Sequence, residues 1–391
     1  MKLPCSKCGR LEPSWCNQAS CPLFPKVNIP AKESFSGSTP NLFVGRYGYP
    51  DVNVGFLAAE DYTMHDEPKL WTAEQTPIRD IIQFRASLVN STFKASVKSF
   101  PERYAEMREL VAQAERPAAV DVDLVKKPVF HIQYPQGTTP HGPSVELKHA
   151  ELTENVRVPG DVDKTLADEL LATEQVSILH QKHDTYYIQK LFAAGLLGKD
   201  KKLVPTRWSI TAVDDTISKQ QLEKIREFQE VSEPLAFVGG HYGNYYCILC
   251  LPGKWQYELF ENYVGARQLD QSLWTDYEGF YGRKDYAENC VGGYYACRLG
   301  ITERLLADKR QAAVLAFRFT TDEYTNPLGV WVVREAVEIA MQSKPLRFAS
   351  DELAIAYLKA YAKKRYSFEV QRFLDSSRLL KQMQQRSITE Y

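Results

Sequence analysis

The stretch Tyr245-Tyr246-Cys247-Ile248-Leu249-Cys250-Leu251-Pro252-Gly253-Lys254-Trp255-Gln256-Tyr257-Glu258-Leu259-Phe260 decides the fold class. Tyr245–Leu251 is an unbroken apolar run of strand length. Trp255, Tyr257 and Leu259 then alternate with other residues, the period of a strand with two different faces. Pro252-Gly253-Lys254 between them is turn chemistry. The segment reads as two neighbouring strands joined in a β-hairpin. Cys247 and Cys250 fall inside the apolar strand, where residues three apart point to opposite faces. They read as buried free thiols, as do Cys290 and Cys297, and not as a zinc knuckle.

Outward from this stretch, Leu235–Val238, Tyr294–Leu299, Val314–Phe319 and Val330–Val333 read as further strands, and 301–310 and 352–366 as helices. A helix over 219–230 is expected from the capping box Ser218-x-x-Gln221 followed by Leu222, Ile225 and Phe228. In the first half, Phe43-Val44-Gly45 and Val52-Asn53-Val54-Gly55 read as strands around Gly48-Tyr49-Pro50. Ile78–Val89 has helical periodicity, 101–114 reads as a helix with Pro101 at its start, and 161–182 as one helix opened by Asp161. Val129–Tyr134 reads as a strand and Gln136–Ser144 as a loop. The fold class is mixed α/β (α+β) with antiparallel strands. The body divides into an N-terminal region, 27–155, and a C-terminal region, 156–380. A knuckle at 1–26 precedes it and a free tail at 381–391 follows.

The chain has 391 residues, 44% hydrophobic and 25% charged, with a net charge of −1. These are ordinary values for a soluble globular protein, and no apolar run is long enough to span a membrane. The near-zero charge excludes a uniform polycation. Locally, however, Lys359, Lys363, Lys364, Arg365, Arg372, Arg378, Lys381 and Arg386 meet only Glu369 and Asp375. That basic segment suits phosphates or a solvated helix face equally well. Aromatic residues make up 12%, with 22 Tyr, which serves cores, pockets or base stacking alike.

Cys5, Cys8, Cys16 and Cys21 are spaced C-x2-C-x7-C-x4-C. Four thiolates with a short first pair can close a tetrahedral zinc site, and one structural zinc is expected there. Disulfides and an iron–sulfur cluster are the alternatives. The first residues lack the apolar h-region of a signal peptide, so a cytoplasmic, reducing setting is expected, which argues against disulfides.

The last residues, Gln385-Arg386-Ser387-Ile388-Thr389-Glu390-Tyr391, place a glutamine, an aliphatic and an aromatic residue three apart. One turn of 3₁₀-helix sets such residues on one side. Ile388 and Tyr391 would enter an apolar groove while Gln385 bonds at its rim, the pattern of a peptide that binds a sliding clamp (PCNA). The second terminal aromatic usual in that pattern is missing. The other reading is a frayed polar terminus.

In the body, Pro205-Thr206-Arg207-Trp208-Ser209-Ile210-Thr211-Ala212-Val213-Asp214-Asp215 is the densest polar cluster. Arg207 and Ser209 could bind phosphate, and Asp214 and Asp215 a divalent metal. The competing reading is a strand entering a turn before the 219–230 helix. His241, within Gly239-Gly240-His241-Tyr242-Gly243-Asn244, is either ligand-facing or part of a turn between two strands. His180 and His183 could share a helix face with Asp184, but lack a third metal ligand.

Taken together, the four-cysteine knuckle, Phe43-Val44-Gly45-Arg46-Tyr47-Gly48-Tyr49-Pro50 with Val52–Gly55, Pro205–Asp215 and Gln385–Tyr391 resemble the archaeal Nre family in its NreA type. The resemblance covers essentially the whole chain. It implies a role in DNA repair and a sliding-clamp partner engaged by the last residues. It also strengthens Arg207, Ser209, Asp214 and Asp215 as site residues. Three readings follow. The first is a clamp-recruited repair factor that contacts DNA, with Lys363, Lys364 and Arg365 as further phosphate contacts. The second is a metal-dependent nuclease or other phosphodiester hydrolase using Asp214, Asp215 or His241. The third is a non-catalytic adaptor.

Overall fold

The computed structural model describes residues 32–129, 139–265 and 273–389. The four-cysteine knuckle, most of the expected Val129–Tyr134 strand, and Tyr391 lie outside the described residues. The chain forms two compact units, Met1–Ile217 with Asn326–Leu328 and Ser218–Thr325 with Gly329–Tyr391. The sequence reading set its boundary at 155–156; compactness sets a division between Ile217 and Ser218.

The first unit contains β1 (Ser34–Val44), β2 (Asp51–Ala59), α1 (Pro68–Ala73), α2 (Ile78–Ser87), β3 (Val89–Ser96), a 3₁₀ turn (Glu102–Tyr104), α3 (Ala105–Gln113), β4 (Ala118–Leu124), β5 (Ser144–Leu152), α4 (Gly160–Ala167), α5 (Ala172–Leu179) and α6 (Thr185–Ala193). The strands close into a barrel in the order β1-β2-β3-β5-β4. β3 and β5 run parallel, and every other pair is antiparallel. Alternation decides which side faces in. Val52, Val54 and Phe56 of β2, Val89 and Phe93 of β3, and Val120, Val122 and Leu124 of β4 fill the interior. β1 is long enough to pair with β4 along its first half and β2 along its second, with a register shift between Ser38 and Asn41. Such an irregularity bends a strand and lets it turn the corner of a barrel.

Helix α7 (Thr206–Ile225) carries the chain past the division. The second unit holds β6 (Leu235–His241), β7 (Asn244–Leu251), β8 (Gln256–Tyr263), β9 (Trp274–Glu278), α8 (Val291–Asp308), β10 (Ala313–Thr320), α9 (Trp331–Gln342), β11 (Leu346–Arg347), α10 (Asp351–Tyr366), α11 (Gln371–Ser376) and α12 (Arg378–Thr389). Its sheet has the order β11-β6-β7-β10-β8-β9. On one face Ile248, Tyr257, Val314 and Ala316 pack against Tyr294, Ile301, Val333 and Val337 of α8 and α9. On the other, Leu249, Phe260, Leu315 and Phe317 pack against Leu358 of α10, Phe373 of α11 and Leu379 of α12. Strands covered on both faces read as continuous apolar runs, which explains the composition of Tyr245–Leu251.

Several expectations are corrected. β7 and β8 do not form a hairpin. β10 lies between them, antiparallel to β7 and parallel to β8. Residues 252–255 therefore cross two strand spacings, about 10 Å. The hairpin is instead β6–β7, closed by Tyr242 and Gly243 with φ of 52° and 69°. Two positive φ values are what a two-residue hairpin turn of the I′ kind requires. Tyr294–Leu299 lies in α8, and Val330–Val333 forms the N-cap and first residues of α9. Residues 161–182 form two helices, α4 and α5. Pro205–Asp215 is not a strand and turn, because α7 begins at Thr206, where Trp208 N and Ser209 N donate to Pro205 O at 2.7 and 3.0 Å. Ser218 and Gln221 consequently cap nothing. Ser218 Oγ accepts from Arg298 Nε at 3.1 Å, and Gln221 Oε1 accepts from Thr302 at 2.6 Å. The expected free tail is helical from Arg378 to Thr389. The buried Glu258 carboxylate accepts from the backbone N–H of Arg378 and Leu379, both at 3.1 Å, satisfying groups that a helix start leaves unpaired. Cys247, Cys250, Cys290 and Cys297 are free and buried, as expected.

Candidate nucleic-acid interface

The β1–β2 connection is six residues, Gly45-Arg46-Tyr47-Gly48-Tyr49-Pro50, held by backbone bonds at its base. Gly45 N donates to Asn53 O at 2.8 Å, and Asp51 N to Gly48 O at 3.0 Å. Gly48 has φ of 82°, and a Cβ there would stand 2.8 Å from Asp51 O, so the turn requires glycine. With the backbone fixed, the side chains have nowhere to go but solvent. Tyr47 is 79% exposed and Tyr49 54%. The Arg46 guanidinium lies 5.0 Å from the Tyr47 ring centroid, and its Nη2 donates to the Tyr47 hydroxyl at 3.1 Å.

The start of α7 meets this loop within the same unit. Val44 N donates to Thr206 Oγ1 at 2.9 Å, and Trp208, 45% exposed, sits 5.4 Å from Tyr49 between ring centroids. Arg207, between these two contacts, is exposed and forms no ion pair among the described residues. Two segments singled out separately in the sequence, Phe43–Pro50 and Pro205–Asp215, thus build one surface of two arginines and three exposed rings. Rings present faces on which bases stack, and guanidinium groups pair with phosphate.

The other candidates fall elsewhere. Ser209 is buried and its hydroxyl donates to Thr206 O at 2.9 Å. Asp214 is fully buried, and its carboxylate accepts from Gln189 Nε2 of α6 at 3.0 Å. It ties α6 to α7. Asp215, the next residue, is half-buried. His241 belongs to the second unit. It lies at the end of β6 with its ring 3.8 Å from that of Tyr242, and burial pushes its pKa below the usual imidazole range. His183 bonds Asp161 at 3.1 Å. Lys363, Lys364 and Arg365 occupy the exposed last turn of α10, where cations complement the helix dipole, and Lys363 pairs with Glu369 at 2.9 Å. A surface cavity of about 330 Å³, lined by Ile355, Lys359, Leu374, Leu380 and Lys381, lies among α10, α11 and α12. Among the described residues no group of three or more His, Cys, Asp or Glu is placed to hold a metal ion. Nor is any described helix long and apolar enough to cross a membrane.

The first unit also holds a half-buried ionisable cluster with no clear signal in the sequence. Lys190 Nζ on α6 donates to Ala114 O at 2.6 Å. Burial pulls its pKa down to about 8, against the opposing attraction of Asp66, Glu67 and Asp184. Burial raises Glu67, which accepts from the Tyr62 hydroxyl at 3.3 Å, and Asp66 pairs with Arg85 at 2.9 Å. These bonds fix the segment after β2 against its neighbours.

Comparison with known proteins gives the family. Residues 15–275 match the family model described as Archaeal Nre, N-terminal, and residues 278–391 match Archaeal Nre, C-terminal. The chain belongs to the archaeal Nre family. It is 32% identical to the DNA repair protein NreB of Archaeoglobus fulgidus over the full length of both chains. It is 33% identical to the DNA repair protein NreA of the same organism over 90% of this chain and 92% of that one. The DNA repair protein NreA of Haloferax volcanii is 34% identical over 79% of this chain and 78% of its own length. Nre relatives of both names thus align along most of the chain. No solved structure matches it.

Proposed function

We propose that this Nre chain is a DNA repair protein that binds DNA through the β1–β2 loop and the start of α7, and that the sliding clamp recruits it through its last residues. One observation carries the first part. Arg46, Tyr47, Tyr49, Arg207 and Trp208 converge on one exposed surface from segments 162 residues apart at the Val44–Thr206 bond. Solvent exposure of so many rings is costly unless they are used. The names of the relatives support repair as the setting. A hydrolase centred on Asp214 is less well supported, because that carboxylate is buried and already bonded to Gln189.

In this reading Gln385, Ile388 and Tyr391 are the clamp contacts. Gln385 is exposed on α12, whose start is fixed by Glu258. Cys5, Cys8, Cys16 and Cys21 would hold one structural zinc, a donor set that suits it. The chain would work in the cytoplasm beside the nucleoid.

The test is charge reversal. Arg46→Glu with Arg207→Glu should weaken DNA binding by at least about ten-fold in low salt and flatten its salt dependence, since each phosphate contact contributes to that slope. Binding unchanged by the double substitution would refute the assigned surface.

A further inference from the structure

We propose that the nucleic acid bound here is single-stranded, held by base stacking along the outer face of the barrel. This rests on the DNA-binding reading above and names its substrate. Three observations lead to it.

The first is topology. A closed five-stranded barrel in the order β1-β2-β3-β5-β4, with β3 and β5 parallel and α3 between β3 and β4, has the connectivity of an OB barrel. Barrels of this kind bind oligomers across strands 2 and 3, between the loop joining strands 1 and 2 and the loop joining strands 4 and 5. Here the arginine–aromatic loop is the strand 1–2 connection. The register places it at one end of that face, beside Asp51↔Ser96 and Asn53↔Lys94, while β5 starts at the other end beside Asn90.

The second is the kind of group displayed. The surface offers Tyr47, Tyr49 and Trp208, and the face continues through Phe43, 40% exposed and opposite Gly55 of β2. Four accessible rings accompany two arginines. Rings need an unpaired base to stack on, and a duplex buries its base faces inside its own stack. A duplex binder would instead need a broad field of cations.

The third is charge. The outward positions of β2 and β3 carry Asp51 and Lys94 together, so neither sign dominates the face. The chain as a whole carries −1. Affinity must then come largely from stacking, which base sequence controls weakly, while Arg46 and Arg207 supply the phosphate contacts that set its salt dependence.

The experiment compares fluorescence anisotropy of the full chain with a labelled mixed-sequence 20-nucleotide strand and with the same strand in duplex. Tyr47→Ala, Tyr49→Ala, Trp208→Ala, Tyr47→Phe and the Arg46/Arg207 charge reversal are measured in parallel, with thermal melts to check folding. Single strand should bind at least ten-fold more tightly than duplex. Each alanine variant should lose about five-fold or more, the low end for a stacked base, and Tyr47→Phe should keep wild-type affinity. Equal or tighter duplex binding would overturn the single-strand inference and leave DNA binding itself standing. Single-strand binding unaffected by all three alanine variants would overturn the stacking face. Binding to neither form would overturn the DNA-binding reading along with it.

Discussion

Lys190→Met should change how stability depends on pH, and by an amount the structure sets. Lys190 is half-buried on α6, with its Nζ on Ala114 O, and its pKa falls from 10.5 to about 8 because partial desolvation disfavours the charged amine. That displacement corresponds to about 3 kcal/mol of lost stability while the lysine is protonated in both states. The sign follows from proton binding. Between about pH 8 and 10.5 the unfolded chain holds the proton more often than the native chain, so native stability rises with pH. Below that window both states are charged and the full cost remains; above it both are neutral and the cost disappears. Methionine has nearly the same reach and no proton, so the variant lacks this rise. Tyr62 and Tyr187 are raised by burial and act oppositely near and above pH 10, but they are common to both proteins and cancel in the difference. Urea melts followed by far-ultraviolet circular dichroism at pH 7, 8, 9 and 10 give that difference. The wild type should gain about 2 to 3 kcal/mol on the variant between pH 7 and 10. A difference that stays flat would mean Lys190 is hydrated and the packing around it has been misjudged.

Two further outcomes are expected. Metal analysis of the purified chain should find about one zinc, and Cys8→Ser should lower it without changing the main unfolding transition, because both units have cores of their own; iron with sulfide, or no metal, would refute the knuckle. Ile388→Ala and Tyr391→Ala should each weaken binding to the purified clamp by at least about ten-fold in calorimetry, as expected of the few apolar anchors in a small interface; equal affinity for the intact chain and one truncated after Gln384 would refute the clamp assignment.

The amino-acid pattern revealed local structure where neighbours in sequence determine it. β2, α2, α3 and α10 follow from periodicity and turn chemistry, whereas most of β1 lies in a Pro-, Gly- and Ser-rich stretch that reads as loop. It misled where burial is complete. Positions 292–302 of α8 are buried all round, so Tyr294–Leu299 loses the helical stripe and looks like a strand. Val330–Val333 carries β-branched residues that tertiary packing draws into α9. The insertion of β10 between β7 and β8 depends on partners more than fifty residues away, and no turn motif encodes it. The candidate surface was half legible. Arg207 stood out as a charged residue in a polar cluster. That Trp208 beside it would meet Tyr49 is a long-range contact, and neither segment announces the other. The partner of Asp214, Gln189, lies on another helix and is likewise not announced by the sequence.

The central claim, that nucleic acid meets the β1–β2 loop and the start of α7, is tested most directly by photocrosslinking. The full chain is irradiated with a single-stranded oligothymidine, and the adducts are located by peptide mass spectrometry. The account predicts adducts on Tyr47, Tyr49 or Trp208. Adducts confined to the basic segment from Lys359 to Arg386, with none on the loop or α7, would contradict it.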